Sequence, residues 1–362
     1  MNLKQLLILP LANTYGCVTC FRNKLFDWKI LPSEEFDLPV ISVGNLSAGG
    51  TGKTPHVEYI VRLLYKQNQV AILSRGYKRS TSGFILANRQ STYKEIGDEP
   101  LQYKQKFDDI LVAADESRRS GIKILTRHFP NLKAIILDDA FQHRYVKPGL
   151  SILTTDFHNL YANDYMLPSG TLREFRKGAK RADIILVTKT SKVLSPITVR
   201  RITDLIKPQK HQRLLFTFID YGDMIPLNGP TDMISPDQCN NVLMFSGIAN
   251  SYPLRDYLSL HYRNMVHVRF PDHHVYTKKD FIKIRKNFRQ ILSNKKIIVT
   301  TEKDAMRLKT PEMKSLFDEL PIYYIPIEIK FHKEDNVIFD ARIINYVEKH
   351  QRSDTIPEKS GS

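Results

Sequence analysis

Short runs of Ile, Val and Leu alternate with longer polar stretches of helical periodicity between residues 39 and 189. The apolar runs are "PVISVG", "VAILSRG", "DDILVAA", "KAIILDD", "LSILTTD" and "ADIILVTK". Runs without polar alternation are typical of strands that are buried on both faces, as in a parallel sheet covered by helices. The pattern therefore predicts an α/β fold with a mostly parallel sheet flanked by helices.

A change in pattern after residue 212 predicts a second, smaller α/β domain. "LLFTFIDYGDMIPLNGPTDM" contains two strand-like runs with Gly and Pro turn signals, which predict a linking β-ribbon. Further apolar runs follow in "NVLMFSG", "MVHVRF", "KIIVTT" and "IYYIPI". The predicted organisation is an N-terminal helix over 1–30, a nucleotide-binding catalytic domain over 31–212, the ribbon over 213–230, the smaller domain over 231–348 and a disordered polar tail over 349–362.

The N-terminal segment shows an apolar stripe at intervals of three or four residues, which predicts an amphipathic helix bent or broken near Pro10. The stripe comprises Leu3, Leu7, Leu11, Tyr15, Val18, Phe21, Leu25 and Trp28. The run "LLILPLA" is far shorter than the roughly 20 apolar residues that cross a bilayer. Two interpretations remain open: the stripe packs on the core, or it lies in a membrane interface with basic residues beside it.

The strongly positive net charge indicates which kinds of partner the protein binds. The chain has 362 residues and a formal net charge of +16, which favours an anionic partner: nucleic acid, an acidic membrane surface or a phosphorylated substrate. Aromatic and basic residues are not interleaved as in stacking platforms, so we expect no nucleic-acid partner. Three cysteines, Cys17, Cys20 and Cys239, do not form a disulfide framework, and a single C-x-x-C is weak evidence for zinc.

The segment "SAGGTGKT" follows the first apolar run and opens a helical stretch. It matches the phosphate-loop pattern G-x-x-x-x-G-K-[ST] except at the first glycine. We predict an ATP site in which backbone amides and the helix N-terminus face the phosphates, a lysine reaches the β- and γ-phosphates, and a threonine hydroxyl contacts Mg²⁺. The predicted ATP-binding residues are Ser47, Ala48, Gly49, Gly50, Thr51, Gly52, Lys53 and Thr54.

Two adjacent carboxylates, Asp138 and Asp139, end the run "AIILDD". Phosphate-loop enzymes keep an acidic residue at this place to hold Mg²⁺ and its waters. Because neighbouring carboxylates repel each other, a cation near them relieves the repulsion. The sequence leaves open which of the two orders the metal, and the role of the nearby His143 is also open.

Loops that mix charge with Gly or Pro supply further candidates. Arg75 in "SRGYKR" and Arg173 in "LPSGTLRE" are suited to bidentate contact with phosphate, and Asp98 in "GDEP" is suited to accepting a proton. His273 and His274 lie in "FPDHHVY" without further ligands at metal-like spacing, so acid–base or orienting chemistry is the preferred interpretation.

These motifs together resemble the tetraacyldisaccharide 4'-kinase family of lipid A biosynthesis over nearly the whole chain. The motifs are "SVGNLSAGGTGKTP", "SRGYKR", "GDEP", "LDDAFQHR", "LPSGTLRE", "FSGIANSYPL", "FPDHHVY" and "TTEKDAMRL". The resemblance implies transfer of the γ-phosphate of ATP, with Mg²⁺, to the 4'-hydroxyl of a disaccharide 1-phosphate lipid. It also implies a peripheral enzyme, expected to be monomeric, on the cytoplasmic face of the inner membrane. Ala140 and Thr171 stand where the family usually has glycine and proline.

The same resemblance implies roles for individual residues. Asp98 is the expected base, His273 its partner from the second domain, and Asp139 a further catalytic residue, although His274 is an alternative to His273. The expected metal ligands are Thr54 and Asp138, and the expected substrate-binding residues are Arg75, Arg173 and Glu174.

A switch ATPase that acts by nucleotide-dependent dimerisation at the membrane is the alternative function. Its deviant phosphate loop K-G-G-x-G-K-T requires a signature lysine, and Ala48 occupies that position. A guanine-reading N-K-x-D motif is not matched by "VTKTS", which contains Lys189 but no Asp two residues later. The kinase is therefore the preferred interpretation.

Overall fold

The computed structural model describes residues 3–228, 234–309, 313, 316 and 320–354 of the chain. Its strands are β1 (Val40–Asn45), β2 (Val70–Ser74), β3 (Ile85–Leu86), β4 (Leu111–Ala114), β5 (Ala134–Asp138), β6 (Leu150–Asp156), β7 (Ile184–Thr188), β8 (Arg213–Tyr221), β9 (Ile225–Asn228), β10 (Asn241–Ser246), β11 (Asn264–Arg269), β12 (Lys296–Thr301), β13 (Ile322–Ile325) and β14 (Ile327–Phe331). The described helices are α1 (Leu3–Asp27), α2 (Lys53–Leu64), α3 (Tyr93–Ile96), α4 (Asp98–Lys106), α5 (Arg118–His128), α6 (Pro196–Ile206), α7 (Tyr252–His261), α8 (Lys278–Gln290), α9 (Glu302–Leu308) and α10 (Asp335–Asp354).

The larger sheet has nine strands in the order β14-β8-β7-β6-β1-β5-β2-β4-β3. The pairs from β8 to β4 are parallel, and the short β3 is antiparallel to β4. Every residue of β1, β2 and β5 is buried, as expected for strands covered on both faces. Because β1 lies between β5 and β6, its carboxyl end opens at the centre of the sheet edge, where ligands bind in open α/β sheets.

The smaller sheet has five strands in the order β11-β10-β12-β13-β9. The first three pairs are parallel, and β9 runs antiparallel to β13. Buried side chains of β10, β12 and β13 form a core with Leu254 and Leu258 of α7. The predicted second α/β domain is therefore present as a sheet of its own.

The chain divides into two compact units whose boundaries differ from the predicted ones. The first unit comprises Met1–Ser91, Glu95–Ile219 and Ile329–Ser362, and the second comprises Thr92–Lys94 and Asp220–Glu328. The segment predicted as a separate ribbon instead supplies β8 to the nine-stranded sheet and β9 to the five-stranded sheet.

The C-terminal segment also differs from its prediction, because the chain returns to the first unit at its end. Strand β14 lies beside β8, and helix α10 is tied to the first unit by the Tyr59 hydroxyl, which donates to Asp340 Oδ1 at 2.9 Å. The amide of Val40 donates to the Tyr346 hydroxyl at 3.1 Å. Helix α10 continues to Asp354, past the predicted start of the tail at 349, and residues 355–362 of that prediction lie outside the described residues.

Helix α1 is continuous through Pro10 rather than broken there. A proline in a helix interior removes one backbone hydrogen bond. Helix α1 has 25 residues, so its other backbone hydrogen bonds are enough to keep it helical on both sides of Pro10. Ala12 is buried in a cluster with Leu46 and Phe141. Within the described part of the stripe, Leu11 is 65% exposed, Val18 64% and Phe21 59%, whereas Leu25 is half-buried. Residues beside the stripe, Ala12, Gly16 and Phe26, are the ones that are buried.

Candidate active site

The phosphate loop occupies the turn between β1 and α2, at the centre of the nine-stranded sheet. Gly52 has φ 81°, a left-handed conformation that disfavours side chains with a Cβ atom, and α2 begins at the next residue, Lys53. Asn45, the last residue of β1, donates from Nδ2 to the Gly49 carbonyl at 3.3 Å and to Thr51 Oγ1 at 3.0 Å. The loop is thus fixed to the strand from which it leaves.

The carbonyl groups of the loop are bound by surrounding side chains. Besides the bond from Asn45 to Gly49, the Gly50 carbonyl accepts from Lys189 Nζ, and the Thr51 carbonyl accepts from Thr188 Oγ1 at 2.8 Å. The Gly52 carbonyl contacts His56 Nδ1 at 2.7 Å. Because four consecutive carbonyls have internal donors, their dipoles are compensated and do not oppose an anion in the loop.

Asp139 lies at the end of β5, in contact with two cations. Lys53 Nζ is 3.4 Å from its Oδ1, and Arg173 Nη1 is 3.3 Å from its Oδ2. Burial opposes ionisation of this carboxyl, but Lys53 and Arg173 outweigh it and lower its pKa. The strand β5 pairs directly with β1, so the sheet itself brings the predicted lysine of the loop to the predicted acidic residue.

Asp138 has the opposite environment, although it is the neighbouring residue. It is buried, and its Oδ2 accepts from the Tyr103 hydroxyl at 3.0 Å. Burial, together with the nearby charge of Glu99, raises the pKa of Asp138 well above its usual range, against the opposing effect of Lys53. The same Tyr103 hydroxyl also has a hydrogen bond with Thr54, so Thr54 and Asp138 share it as a partner.

This set of oxygen donors fits Mg²⁺ by its chemistry. Mg²⁺ prefers carboxylate and hydroxyl oxygens and usually combines one or two carboxylates with substrate phosphates. The charge of Glu99 disfavours ionisation of Asp138, and a divalent cation relieves such an effect between carboxylates. Within the described part of the chain, no group of three or more His, Cys, Asp or Glu residues is arranged to hold a metal by itself.

A basic cluster lies beside the two aspartates. Arg118 is buried and donates to the Asp115 carbonyl at 2.6 Å and to the Asp138 carbonyl at 3.0 Å. The predicted Arg75 follows β2, which pairs with β5, and its charge acts on both Arg118 and His143. Burial, with these two arginines, lowers the pKa of His143 to about 4, so this histidine is neutral near pH 7.

Asp98 is the first residue of α4, and it is half-buried. The preceding Gly97 has φ 94°, and a Cβ atom on it would lie 3.1 Å from the Cα of Gly76. The motifs "GDEP" and "SRGYKR" therefore contact each other at a position where each of them has a glycine. The residues Glu99 and Tyr103, one helical turn apart on α4, both act on Asp138. Helix α4 thus brings the predicted base into the neighbourhood of the paired aspartates.

Glu174 occupies a different environment from its neighbour Arg173. It is buried, and its carboxylate accepts from Asn23 Nδ2 at 2.7 Å and from Arg181 Nη2 at 2.8 Å. Asn23 belongs to α1, so Glu174 connects the N-terminal helix to the loop that carries Arg173. The substrate-binding role of Glu174 stays a prediction.

The second unit holds His273 and His274 in different ways. His273 has φ 57°; its amide donates to the Gly247 carbonyl at 3.0 Å and its Nδ1 lies 3.3 Å from Arg307 Nη2. His274 is bound by Asp280 through Nε2 at 3.0 Å and stacks on Phe270. The motifs "FSG", "PDHH" and "TTEKDAMR" therefore converge within this unit, and they fix the backbone of His273.

Sequence reasoning missed several residues that complete the first unit's site. They are Asn45, His56, Tyr103, Arg118 and Thr188, and each acts through a hydrogen bond to the phosphate loop or to Asp138. Lys189 belongs to the same group, because its Nζ donates to the Gly50 carbonyl. For two of these residues, the sequence does contain a signal. Asn45 and Thr188 are polar residues at the carboxyl ends of buried parallel strands, the edge of the sheet at which ligands bind.

Comparison with known proteins decides the family. The sequence model of the family "Tetraacyldisaccharide-1-P 4'-kinase" matches residues 4–346 of the chain. The chain belongs to this kinase family. Among similar proteins, the tetraacyldisaccharide 4'-kinase of Parabacteroides distasonis is 45% identical over 94% of each chain, and that of Flavobacterium johnsoniae is 43% identical over 97% of this chain and 99% of the relative.

A solved structure agrees in fold. The "apo" form of LpxK from Aquifex aeolicus, described as a complex with ATP, superposes with a TM-score of 0.71 at 26% identity and covers 95% of this chain and 99% of its own. The predicted α/β fold, family and kinase activity in lipid A biosynthesis are therefore confirmed. None of the described helices of this kinase is both long enough and apolar enough to traverse a bilayer.

Proposed function

We propose that this kinase transfers the γ-phosphate of ATP to the 4'-hydroxyl of a tetraacyldisaccharide 1-phosphate at the catalytic edge of the nine-stranded sheet. Two neighbouring features support the proposal. Lys53 Nζ lies 3.4 Å from Asp139 Oδ1, and the carbonyls of the adjacent phosphate loop accept hydrogen bonds from side chains of the protein. Phosphoryl transfer requires mainly positioning and neutralisation of charge, and this arrangement supplies both.

The donor end of the reaction is assigned to the loop 47–54. In the proposal, Lys53 exchanges its contact with Asp139 for the β- and γ-phosphates of ATP, and the amides of the loop and of the first turn of α2 face the same anion. Thr54 and Asp138 would hold Mg²⁺, which supplies charge neutralisation on the phosphate oxygens. Asp139 holds Lys53 beside the loop until this exchange, and afterwards it remains ionised beside Arg173.

The acceptor end is assigned to Asp98, Arg75 and Arg173. Asp98 accepts the proton of the 4'-hydroxyl while that oxygen bonds to the γ-phosphorus and the bond to the ADP oxygen breaks. His273 is the proposed partner of Asp98, because its backbone is fixed by Gly247, whereas the His274 ring is already bound by Asp280. Arg75 and Arg173 are cationic groups near the aspartates, suited to the substrate's phosphate.

The lipid acceptor requires the enzyme to work at a membrane surface, and helix α1 is the proposed contact. Its outward face exposes Leu11, Tyr15, Val18 and Phe21, and the chain as a whole carries a net charge of +16. Apolar side chains on such a helix enter the interface, while Lys and Arg are attracted by anionic headgroups. We therefore propose peripheral attachment, as a monomer, to the cytoplasmic face of the inner membrane.

Transfer of radiolabelled phosphate from ATP to purified tetraacyldisaccharide 1-phosphate tests the proposal. We expect label in the lipid in proportion to ADP formed. The switch-ATPase alternative predicts ATP hydrolysis that rises with dimer formation and leaves the lipid unlabelled, and that outcome would overturn the proposed reaction.

A further inference from the structure

A buried ion pair organises the part of the second unit that carries His273. Asp304 and Arg307 lie one turn apart on α9, are 0% and 3% exposed, and are joined at 2.8 Å through Arg307 Nη1 and Asp304 Oδ1. Breaking such a pair leaves an uncompensated buried charge, so its geometry is strongly constrained. The two side chains therefore form a rigid support within the fold.

Each member of the pair also binds the loop after β10. Asp304 Oδ2 accepts from the Gly247 amide at 3.0 Å, and Arg307 Nη1 donates to the Gly247 carbonyl at 3.0 Å. The same carbonyl accepts from the amide of His273, whose left-handed backbone turns its ring toward Arg307. Gly247 thus connects the ion pair to the backbone of the histidine, and Arg307 connects it to the ring.

The contact between Arg307 Nη2 and His273 Nδ1, at 3.3 Å, has only one chemically consistent assignment. A guanidinium has N–H donors and no acceptor, so Nδ1 must provide its lone pair. A neutral imidazole carries one hydrogen, which must then be on Nε2. The Asp272 carboxylate, whose Oδ2 is 3.9 Å from His273 Nε2, places negative charge on the side that carries this hydrogen.

We infer that Arg307 is a positioning residue that holds His273 in the neutral tautomer with its hydrogen on Nε2. His273 then contributes to catalysis by donating a hydrogen bond from Nε2 to the base, and not by accepting the substrate proton at that atom. The proton of the acceptor hydroxyl remains on Asp98 until it is released to solvent. The link to catalysis rests on the proposed function, whereas the tautomer is a property of the second unit alone.

Two-bond proton–nitrogen correlation spectra of the full-length protein, labelled with ¹⁵N-histidine, test the inference without an activity assay. The signals of His273 are assigned by their loss in His273→Gln. We expect Nδ1 to resonate as an unprotonated nitrogen and Nε2 as a protonated one at neutral pH. A hydrogen on Nδ1, or on both nitrogens, in the wild-type protein would overturn the inference.

Substitution of Arg307 tests the cause. We expect Arg307→Met to lose the single-tautomer signature and to lower kcat by about tenfold to a hundredfold, the usual effect of removing a group that orients a functional histidine, with KM for ATP little changed. Arg307→Lys, which keeps the charge beside Asp304, should retain more of the folded protein if Arg307→Met unfolds. The matched control is Arg285→Met, which removes another partly buried guanidinium of the second unit, one that donates to the Leu316 carbonyl.

The outcomes separate the inference from the proposed function. If folded Arg307→Met, which has no donor for Nδ1, keeps the Nε2–H tautomer, Arg307 does not select it and the inference fails. If His273→Gln keeps full activity while the wild-type tautomer is as expected, the proposed role of His273 fails and the tautomer assignment stands.

Discussion

The ammonium of Lys53 lies 3.4 Å from the carboxylate of Asp139, and the two residues follow the adjacent parallel strands β1 and β5. The carboxylate is kept ionised by this contact and by Arg173, so it holds the lysine beside the phosphate loop before any nucleotide arrives. Pre-organised charge of this kind costs little reorganisation when the transition state forms.

Lys53→Ala should therefore lower kcat by about a thousandfold, because the lost cation stabilises the phosphates whose charge redistributes in the transition state. The measurement is steady-state phosphate transfer to the lipid, with circular dichroism to check folding. Lys66→Ala, which removes an exposed lysine just beyond the other end of α2, is the control and should retain normal turnover. Near-normal activity of a folded Lys53→Ala protein would remove the loop from the mechanism.

Asp98→Ala and His273→Ala should each lower kcat by about a hundredfold or more while KM for ATP changes little, since both act on the acceptor proton. Groups that act as a unit give non-additive losses, so the double variant should be scarcely slower than the poorer single one. His261→Ala, an exposed histidine on α7, controls for loss of an imidazole from the second unit. Losses that multiply would show that Asp98 and His273 act independently, and His274 would become the next candidate.

Serine at Leu11, Val18 and Phe21 together should release the kinase from anionic lipid vesicles and raise KM for lipid more than KM for ATP. These side chains are exposed, so the change leaves the packing of Ala12 and Phe26 intact, which deletion of the whole helix would not. The matched control replaces Val193, Ile197 and Leu292, equally apolar and 82–99% exposed, by serine. Equal vesicle sedimentation of the two triple variants would count against α1 as the membrane contact.

The buried His56 should make the stability of the first unit depend on pH. Burial lowers its pKa to about 4, so the folded protein resists protonation that the unfolded chain accepts near pH 6.5. The contribution to stability is complete above pH 6.5 and is lost as the pH falls toward 4, by up to about 3 kcal/mol. Urea unfolding at pH 7.5 and pH 5 measures the loss.

His56→Asn isolates this effect, because its amide can replace the Nδ1–H donor to the Gly52 carbonyl but does not titrate. We expect the variant to be less stable than the wild type at pH 7.5, since the Thr217 hydroxyl loses its contact with Nε2, yet to lose less stability on acidification. An identical acid-induced loss in both proteins would assign the pH dependence to other groups.

Much of the candidate site could be predicted from local sequence, because its functional residues lie at or just after the ends of strands. The phosphate loop lies at the end of β1 and the paired aspartates at the end of β5, each in a segment of fewer than twenty residues. Because the carboxyl ends of parallel strands share one edge of the sheet, recognising a parallel sheet was enough to predict that these segments meet.

Other features depended on contacts between residues far apart in the chain. The sequence does not distinguish the charges of Asp138 and Asp139. Burial and the charge of Glu99 raise the pKa of Asp138, whereas Lys53 and Arg173 lower that of Asp139 against the effect of its burial. Glu174 follows Arg173 directly in the same motif. Its carboxylate is nevertheless buried in the protein, where it accepts hydrogen bonds from Asn23 and Arg181.

Most strands, the glycine-rich loop, the paired acids and the apolar stripe of α1 follow from local sequence, because periodicity and conformational preference act over a few residues. The return of β14 and α10 to the first unit, and the outward orientation of Leu11, Val18 and Phe21, depend on the tertiary fold. Both outcomes depend on which surfaces of the chain become buried against each other. The contacts that decide this join residues far apart in the sequence, such as Ala12 with Leu46 and Val40 with Tyr346, so no local pattern predicts them.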